Sequence, residues 1–362
     1  VPLFGIWGLG FGVVAGALLH VLIQVPAAIT SGFRWQPLFN WKDQAIGKVL
    51  RLALPRTLAA ASLHVNLIVV TAFASIISTG SITIFTYAND IQHFPIGLIG
   101  ASFALAAFPL LSRLFAEHQM QQFRDAFALT FKQVFFLVTP ISLLAFLLRA
   151  QIVRLVYGAG DKFTWDDTRL TAAALGIFAF GILFQALIPF LARVFFAMQN
   201  TKIPTIVGIA SVVFNIALAV WLVKVLGSPN VFSNFLVAAL KLQGIADIRV
   251  LAFPLALVFS GILQAVLLLL FLRRYIQEVM QKDLYVSMAK TAGASFALAF
   301  ATYTILQLYG GAFTLRTYNE VLSQFILASL GGSAAYILAA FLLRSPEMLY
   351  FWSYLLGLTK RR

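Results

Sequence analysis

The sequence predicts an all-α polytopic membrane protein with about nine transmembrane helices. Of its 362 residues, 61% are hydrophobic and only 10% are charged, which is far from the composition of a soluble domain. Apolar windows long enough to cross a bilayer recur along the whole chain. One membrane anchor would explain only one such window, so we expect the chain as a whole to lie in the membrane.

Nine segments have the length and apolar content that a membrane helix needs. Because nine is odd, the two ends of the chain are predicted to lie on opposite sides of the membrane. The segments cover roughly 3–27, 50–78, 82–112, 127–149, 169–198, 204–226, 250–272, 286–309 and 321–343.

The basic residues predict which way the helices run. The connections on one side, together with the C-terminus, hold 17 of the 26 Lys and Arg residues, the other side holds 8, and Arg56 lies within a predicted helix. Positively charged connections stay in the cytoplasm. The first side, which includes segments 28–49 and 113–126, is therefore predicted to be cytoplasmic.

The second segment contains an arginine about one turn inside its apolar region. Arg56 follows Pro55, which can bend the helix at this level. In one interpretation the long side chain extends back to the cytoplasmic interface. In the other, the cation points into a central cavity, where it holds an anionic headgroup.

The third segment carries a polar cluster that is costly in lipid. Such side chains usually face a cavity, a partner or a transport pathway. Pro95 cannot donate a backbone hydrogen bond, so we expect a bend there, with Gly97 as a second flexible position. The cluster consists of Asn89, Asp90, Gln92 and His93.

Helical spacing places part of this cluster on one face. Two interpretations stay open: Asp90 and His93 form a closed pair that packs against a neighbouring helix, or they line a cavity and respond to charge. The shared face contains Thr86, Asp90, His93, Gly97 and Gly100.

Three connections have recognisable patterns. Thr164 or Asp166 is predicted to cap the fifth helix, with Asp167 near its positive end. The stretch VFSNFLVAALKL within 227–249 is predicted to form a short amphipathic helix. The C-terminal MLYFWSYLLGLTKRR is expected to anchor at the cytoplasmic interface.

Several classes of protein are disfavoured. The net charge is +14, but the basic residues form no sustained patch, so no nucleic-acid partner is expected. The chain has no cysteine and no nucleotide-binding, hydrolase or zinc-protease motif. We therefore expect no catalytic residue, no metal site and no cofactor.

Four stretches, taken together and in order, carry a family resemblance. They are GVVAGALLHVLIQVPA, TYANDIQHFPIGLIGASFALAAFPLLS, GAGDKFTWDDT and FFAMQNTKIPTIVGI. In them the chain resembles the MurJ/MviN-type lipid II flippases of the MOP (multidrug/oligosaccharidyl-lipid/polysaccharide) exporter superfamily. The resemblance is specific over residues 1–226 and rests on hydropathy beyond them.

The resemblance implies a fourteen-helix fold with two six-helix lobes around a cavity, followed by a terminal helix pair. We expect the chain to lack an N-terminal portion of that fold. By this reading the parts are the last helix of the first lobe (1–27), a cytoplasmic linker with an amphipathic segment (28–49), the second lobe (50–272), the terminal pair (286–343) and a cytoplasmic interfacial tail (344–362).

The function that the resemblance implies is transport without covalent chemistry. Members move the lipid-linked peptidoglycan precursor, lipid II, from the inner to the outer leaflet of the bacterial cytoplasmic membrane by alternating access. The expected partners are lipid II or a related polyprenyl-pyrophosphate glycan, membrane lipids and a coupling ion.

The chain departs from the family pattern at one site. Members carry an arginine at the position of Asp90, after an aspartate where this chain has Asn89. A carboxylate would repel a pyrophosphate at close range, so Arg56 is the best substitute cation. Two alternatives stay open: export of another polyprenyl-linked glycan or of cationic drugs, and a non-transporting scaffold for cell-wall synthesis.

Overall fold

The structure, a computed structural model, is mostly helical over the part of the chain that it describes. No strand occurs among the described residues, and the chain divides into two compact units, Val1–Arg56 and Thr57–Arg362. The described residues are 5, 7–32, 47, 68–75, 77, 80–158, 163–276, 282–313 and 317–349.

The first unit contains helix α1 (Trp7–Thr30), and the second contains the other helices. A helical stretch at 68–75 precedes the labelled helices of the second unit. These are α2 (Ser81–Pro95), a π-helical turn (Ile96–Ala101), α3 (Ser102–Ala116), α4 (Met120–Leu147), α5 (Arg149–Tyr157), α6 (Trp165–Ala197), α7 (Lys202–Leu226), α8 (Val231–Ala239), a 3-10 turn (Arg249–Leu251), α9 (Ala252–Tyr275), α10 (Lys282–Ala312) and α11 (Tyr318–Leu342).

Eight helical segments in the described part of the chain are long and apolar enough to cross a membrane. They coincide with eight of the nine predicted segments, and α2, the π-helical turn and α3 together form one of them, Ser81–Ala116. The predicted segment 50–78 lies mostly outside the described residues, apart from the helical stretch 68–75. The predicted fold class is confirmed.

Helix α6 is the central element of the second unit. It is apolar on every side, as expected of a helix surrounded by others. In its most apolar stretch, 67% of the residues are buried. It packs against α2, α3, α4, α5 and α9. Its start follows the predicted capping: Thr164 accepts from the backbone N–H of Asp167, and the Asp167 carboxylate accepts in return from the backbone N–H of Thr164.

Aromatic side chains fill the space around α6. Phe85 of α2 meets Phe178 of α6 and Phe253 of α9 edge to face, with ring centroids 6.0 Å apart in both pairs. Nearer the other end of α6, Phe190 stacks on Phe127 of α4 at 5.4 Å. The two contacts of Phe85 fix the height and rotation of α2, which carries the polar cluster.

Helices α10 and α11 pack against each other and against α4. The hydroxyl of Tyr336 in α11 donates to the carbonyl of Phe136 in α4 at 2.7 Å, and both residues are buried. Ala294 and Leu298 of α10 complete this apolar contact. The terminal pair is therefore attached to the rest of the second unit by packing and by a buried hydrogen bond.

Two short helices flank the long ones on one side of the bundle. The predicted helix within 227–249 is confirmed as α8, which Asn230 and Ser233 cap. Helix α5 is a correction, because the helix of the predicted segment 127–149 ends at Leu147 and a separate helix begins at Arg149. Hydropathy does not reveal this break, because Leu148 is as apolar as the helix before it.

Candidate functional site

Helix α2 has one buried face and one exposed face. Ile84, Phe85 and Ala88 are buried against α6 and α9. The opposite face is exposed although it lies within a membrane-spanning segment, and a mostly polar stripe runs along it beside the exposed apolar residues Ile82, Phe94 and Leu98. The stripe contains Thr83, Thr86, Asp90, His93 and Gly97.

The predicted cluster divides between these two faces. Asp90 and His93 are exposed, Asn89 is half-buried, and Gln92 is buried. The side-chain amide of Gln92 donates to the Asn89 oxygen at 2.9 Å. The hydrogen-bonded polar pair on α2 is thus Gln92–Asn89. The two titratable side chains, Asp90 and His93, are directed outward.

The closed Asp90–His93 pair is not what the structure contains. No hydrogen bond or ion pair joins these two side chains in the part of the chain that the structure describes. Both are exposed on one face, one helical turn apart. The geometry favours the other interpretation, in which the two side chains line a cavity.

The irregularity predicted at Pro95 takes the form of a π-helical turn that begins at the next residue. A π turn takes one more residue than an α turn, which rotates the following residues by about 100°. Gly100 was predicted on the polar face, and this is wrong: it is buried against α6, where an added Cβ would lie 2.5 Å from the carbonyl oxygen of Ala186. Gly97, before most of the turn, stays exposed.

A tyrosine pair lies beside the polar face, toward the N-terminal end of α2. Tyr87 of α2 and Tyr157 of α5 stack with centroids 3.9 Å apart and planes within 3°. Burial raises the pKa of Tyr157, and the nearby charge of Asp90, followed by Tyr87, raises it further. With Phe163 and Asp167 the pair borders a pocket of about 340 Å³.

This pocket was missed by sequence reasoning. Tyr87 and Tyr157 are 70 positions apart, and nothing in the sequence indicates that they meet. The described residues contain no cluster of three His, Asp or Glu side chains that could hold a metal ion. The remaining predicted site residues, Pro55 and Arg56, lie outside the described residues.

The fold and the polar face define a multi-pass helical membrane protein in which a spanning helix exposes titratable side chains along its length. The sequence profile described as "Lipid II flippase MurJ" matches residues 2–324. The chain belongs to the lipid II flippase MurJ family.

Relatives agree with this assignment, and a solved structure shares the fold. A probable lipid II flippase MurJ of Vibrio cholerae is 30% identical over 248 residues, which are 66% of this chain and 47% of the relative. One of Rhizobium tropici is 27% identical over 355 residues, 96% of this chain and 61% of the relative. The structure "Lipid II flippase MurJ, inward closed conformation" superposes with a TM-score of 0.61 at 22% identity, covering 84% of this chain and 56% of that one.

The solved structure shares the fold with this chain. The chain spans about half the length of the first curated relatives that it matches, 47% and 42% of the Vibrio cholerae and Haemophilus influenzae proteins.

Proposed function

We propose that the chain acts in a lipid II flippase, which moves a polyprenyl-pyrophosphate glycan from the inner to the outer leaflet by alternating access. Family membership supports the substrate class. The observation that carries the proposal is the exposed polar face of α2, since a face with Asp90 and His93 cannot lie stably against lipid tails. It needs a water-filled cavity or a second polar surface.

The proposed arrangement follows the family plan. Residues 50–272 form one six-helix lobe and 286–343 the terminal pair, while 1–27 is the last helix of the other lobe, joined through the linker 28–49. The tail 344–362 lies at the cytoplasmic interface. The protein is proposed to reside in the bacterial inner membrane with its C-terminus in the cytoplasm, because that side carries most of the Lys and Arg residues.

The residues of the polar face take distinct roles in this proposal. Asn89, Asp90 and His93 line the cavity. Asp90 repels a pyrophosphate at close range, so it is better suited to bind a coupling cation or proton than to hold the headgroup. Arg56 is proposed to contact the pyrophosphate, together with cations of the other lobe.

The flexible positions are the two prolines and one glycine of these helices. Pro55, Pro95 and Gly97 are proposed to let the helices bend when the cavity changes sides. The π-helical turn after Pro95 supports this role, because π turns are places where a helix departs from regular hydrogen bonding.

A growth experiment tests the function. The full-length protein is produced in bacteria that are depleted of their own flippase, and growth is followed as the resident protein disappears. Restored growth is expected. Absence of growth at a normal membrane level of the protein would count decisively against lipid II transport.

One observation favours a second candidate, an exporter of cations. Asp90 is exposed and no ion pair to a basic side chain is found for it within the described residues. A cation exporter would lose drug resistance in Asp90→Asn, whereas a flippase would keep the same drug profile. A scaffold without transport would retain partner binding in a pull-down while vesicles show no lipid translocation.

A further inference from the structure

A basic cleft lies between the terminal helix pair and the rest of the second unit. Its volume is about 860 Å³, large enough for a small-molecule ligand. One wall comes from α5 and the start of α6, and the other from α10 and α11. Its cationic lining residues are Arg149, Arg154, Arg169 and Lys241, and no acidic side chain is among the described residues that line it.

Arg149 is the most informative of these cations. It is half-buried, and burial lowers its pKa. Its guanidinium donates to the carbonyl of Phe146 at 2.9 Å and lies 4.9 Å above the ring of that residue. Neither contact supplies a negative charge. Since no ion pair is found for Arg149 within the described part of the chain, its burial is costly, and an anion in the cleft would relieve that cost.

The position of Arg149 is built into the packing of α6. Its side chain lies across Gly176, where an added Cβ would come within 2.8 Å of the Arg149 Cδ. The absence of a side chain at Gly176 thus keeps the guanidinium at the edge of the cleft. A guanidinium has five N–H donors in a planar fork that suits phosphate oxygens, and most of them remain for a ligand here.

Two of the other cationic side chains of the cleft already make contacts within the protein. Arg169 donates to the carbonyls of Lys241 and Gln243 at 2.6 and 2.9 Å, and it lies 3.5 Å from Asp166. Asp166 offsets some of its charge but does not line the cleft. Arg154 lies 6.0 Å from the ring centre of Trp165. Among the described residues that line the cleft, four side chains are cationic and none is acidic.

The cleft lies at the level where a membrane meets water. Its lining comes from the ends of four spanning helices, each within a few turns of a connection. Each wall carries an exposed aromatic side chain, Trp165 at 64% exposure and Tyr303 at 55%. Trp and Tyr concentrate at the headgroup level of a bilayer. A ligand there is at the height of lipid phosphates.

We propose that this cleft is a binding site for a phosphate-bearing anion, and that its occupant is the headgroup of an anionic membrane lipid. The guanidinium groups bind the phosphate oxygens, and the acyl chains leave between the terminal pair and α5. The site goes beyond the proposed function, because no step of translocation depends on it.

The absence of cysteine from the chain permits a direct test. Ala150 is exposed and lines the cleft, so Ala150→Cys introduces a single thiol there. Ala246 is exposed in the connection after α8 and does not line the cleft, so Ala246→Cys is the matched control. The 362-residue chain is labelled with a small polar thiol reagent in phosphatidylcholine nanodiscs, with and without phosphatidylglycerol, and in detergent with inorganic pyrophosphate.

Phosphatidylglycerol is expected to slow labelling of the Ala150→Cys variant several-fold and to leave Ala246→Cys unchanged. Adding Lys241→Gln, which removes an exposed cation of the cleft lining, should weaken the protection about tenfold, as expected for a hydrogen bond to a charged group. Lys224→Gln, an exposed cation outside the cleft, should not. Protection by pyrophosphate alone would support the site with a soluble anion as its occupant. Equal labelling in every condition would overturn the proposal, and this readout requires no cation to be removed.

Discussion

The guanidinium of Arg193 donates to the backbone carbonyl of Ala101 at 3.1 Å. Ala101 is the last residue of the π-helical turn, and Arg193 belongs to α6. A π turn disturbs the regular sequence of backbone hydrogen bonds. A side chain from the neighbouring helix therefore satisfies an acceptor at the irregular point and joins the polar helix to the centre of the fold.

Removal of this donor should cost stability. Arg193→Ala leaves a half-buried carbonyl without its charged donor, for which we expect a loss of about 1–3 kcal/mol in the free energy of unfolding. Arg274→Ala, an exposed arginine at the end of α9, serves as the control and should stay within about 0.5 kcal/mol. Denaturant unfolding of both purified variants is the measurement, and equal values would show that the hydrogen bond is unimportant.

The two glycines at the π-helical turn should respond in opposite ways. Gly100→Ala forces a Cβ against the backbone of Ala186, which is expected to cost about 1–3 kcal/mol. Gly97→Ala meets no atom within 4 Å and should be neutral or stabilising by up to about 1 kcal/mol, since alanine favours a helix. A comparison of thermal unfolding tests this, and a similar loss in both variants would contradict the rotated register.

Asp90 and His93 should behave independently. Because both are exposed and no bond between them is found among the described residues, Asp90→Asn and His93→Gln should each change stability by less than about 0.5 kcal/mol. Their effects should add within a similar margin in the double variant. A coupling near 1 kcal/mol in this cycle would instead reveal a closed pair.

The charge of Asp90 should be detectable at Tyr157. Burial and the nearby carboxylate raise the pKa of this phenol above its ordinary value of 10.0. Asp90→Asn removes the negative charge that opposes ionisation, so Tyr157 should ionise at a lower pH than in the parent, while burial keeps the pKa above the ordinary value. The difference in phenolate absorbance between each protein and its Tyr157→Phe derivative measures this.

Asp247→Asn is the control for that titration. Asp247 lies in the connection after α8, and its carboxylate accepts hydrogen bonds from Arg249 at 2.6 to 3.1 Å. Its removal should leave the titration of Tyr157 unchanged. An unaltered titration in Asp90→Asn as well would mean that Asp90 does not reach the tyrosine pair.

The N-terminal cap of α6 should contribute measurably to the free energy of unfolding. Thr164→Ala removes both hydroxyl contacts to Asp167, for which about 1 kcal/mol of stability is expected to be lost. Thr201 also precedes a helix but makes no side-chain capping bond, so Thr201→Ala should cost far less. Chemical unfolding measures the loss of stability in each variant. Equal losses would exclude a specific role for the capping box.

Local patterns in the sequence were enough to predict the helices and one cap. A spanning helix needs about 20 apolar residues in succession, and Thr164 with Asp167 forms a capping signature within four positions. The position of the helical irregularity followed from Pro95 alone. The outward direction of Asp90 and His93 was one of two interpretations, because spacing along a helix does not tell which face is covered.

The rest depended on contacts between distant residues. Gly100 faces α6 because the π turn rotates the register, and the sequence contains no sign of that extra residue. Arg193 entered the prediction only as a charge at the cytoplasmic side, whereas its role depends on Ala101, 92 positions away. The cleft around Arg149 required α5, α6 and the terminal pair to be placed together.

The hydrogen bond from Tyr336 to Phe136 has a mechanical consequence. It joins α10 and α11 to α4, and the bond from Gln151 to Gln324 at 3.0 Å forms a second link across the basic cleft. We expect these links to keep the two walls of the cleft together when the protein changes shape. A molecule bound in the cleft would then stay in place through each cycle, because neither wall moves to bind or release it.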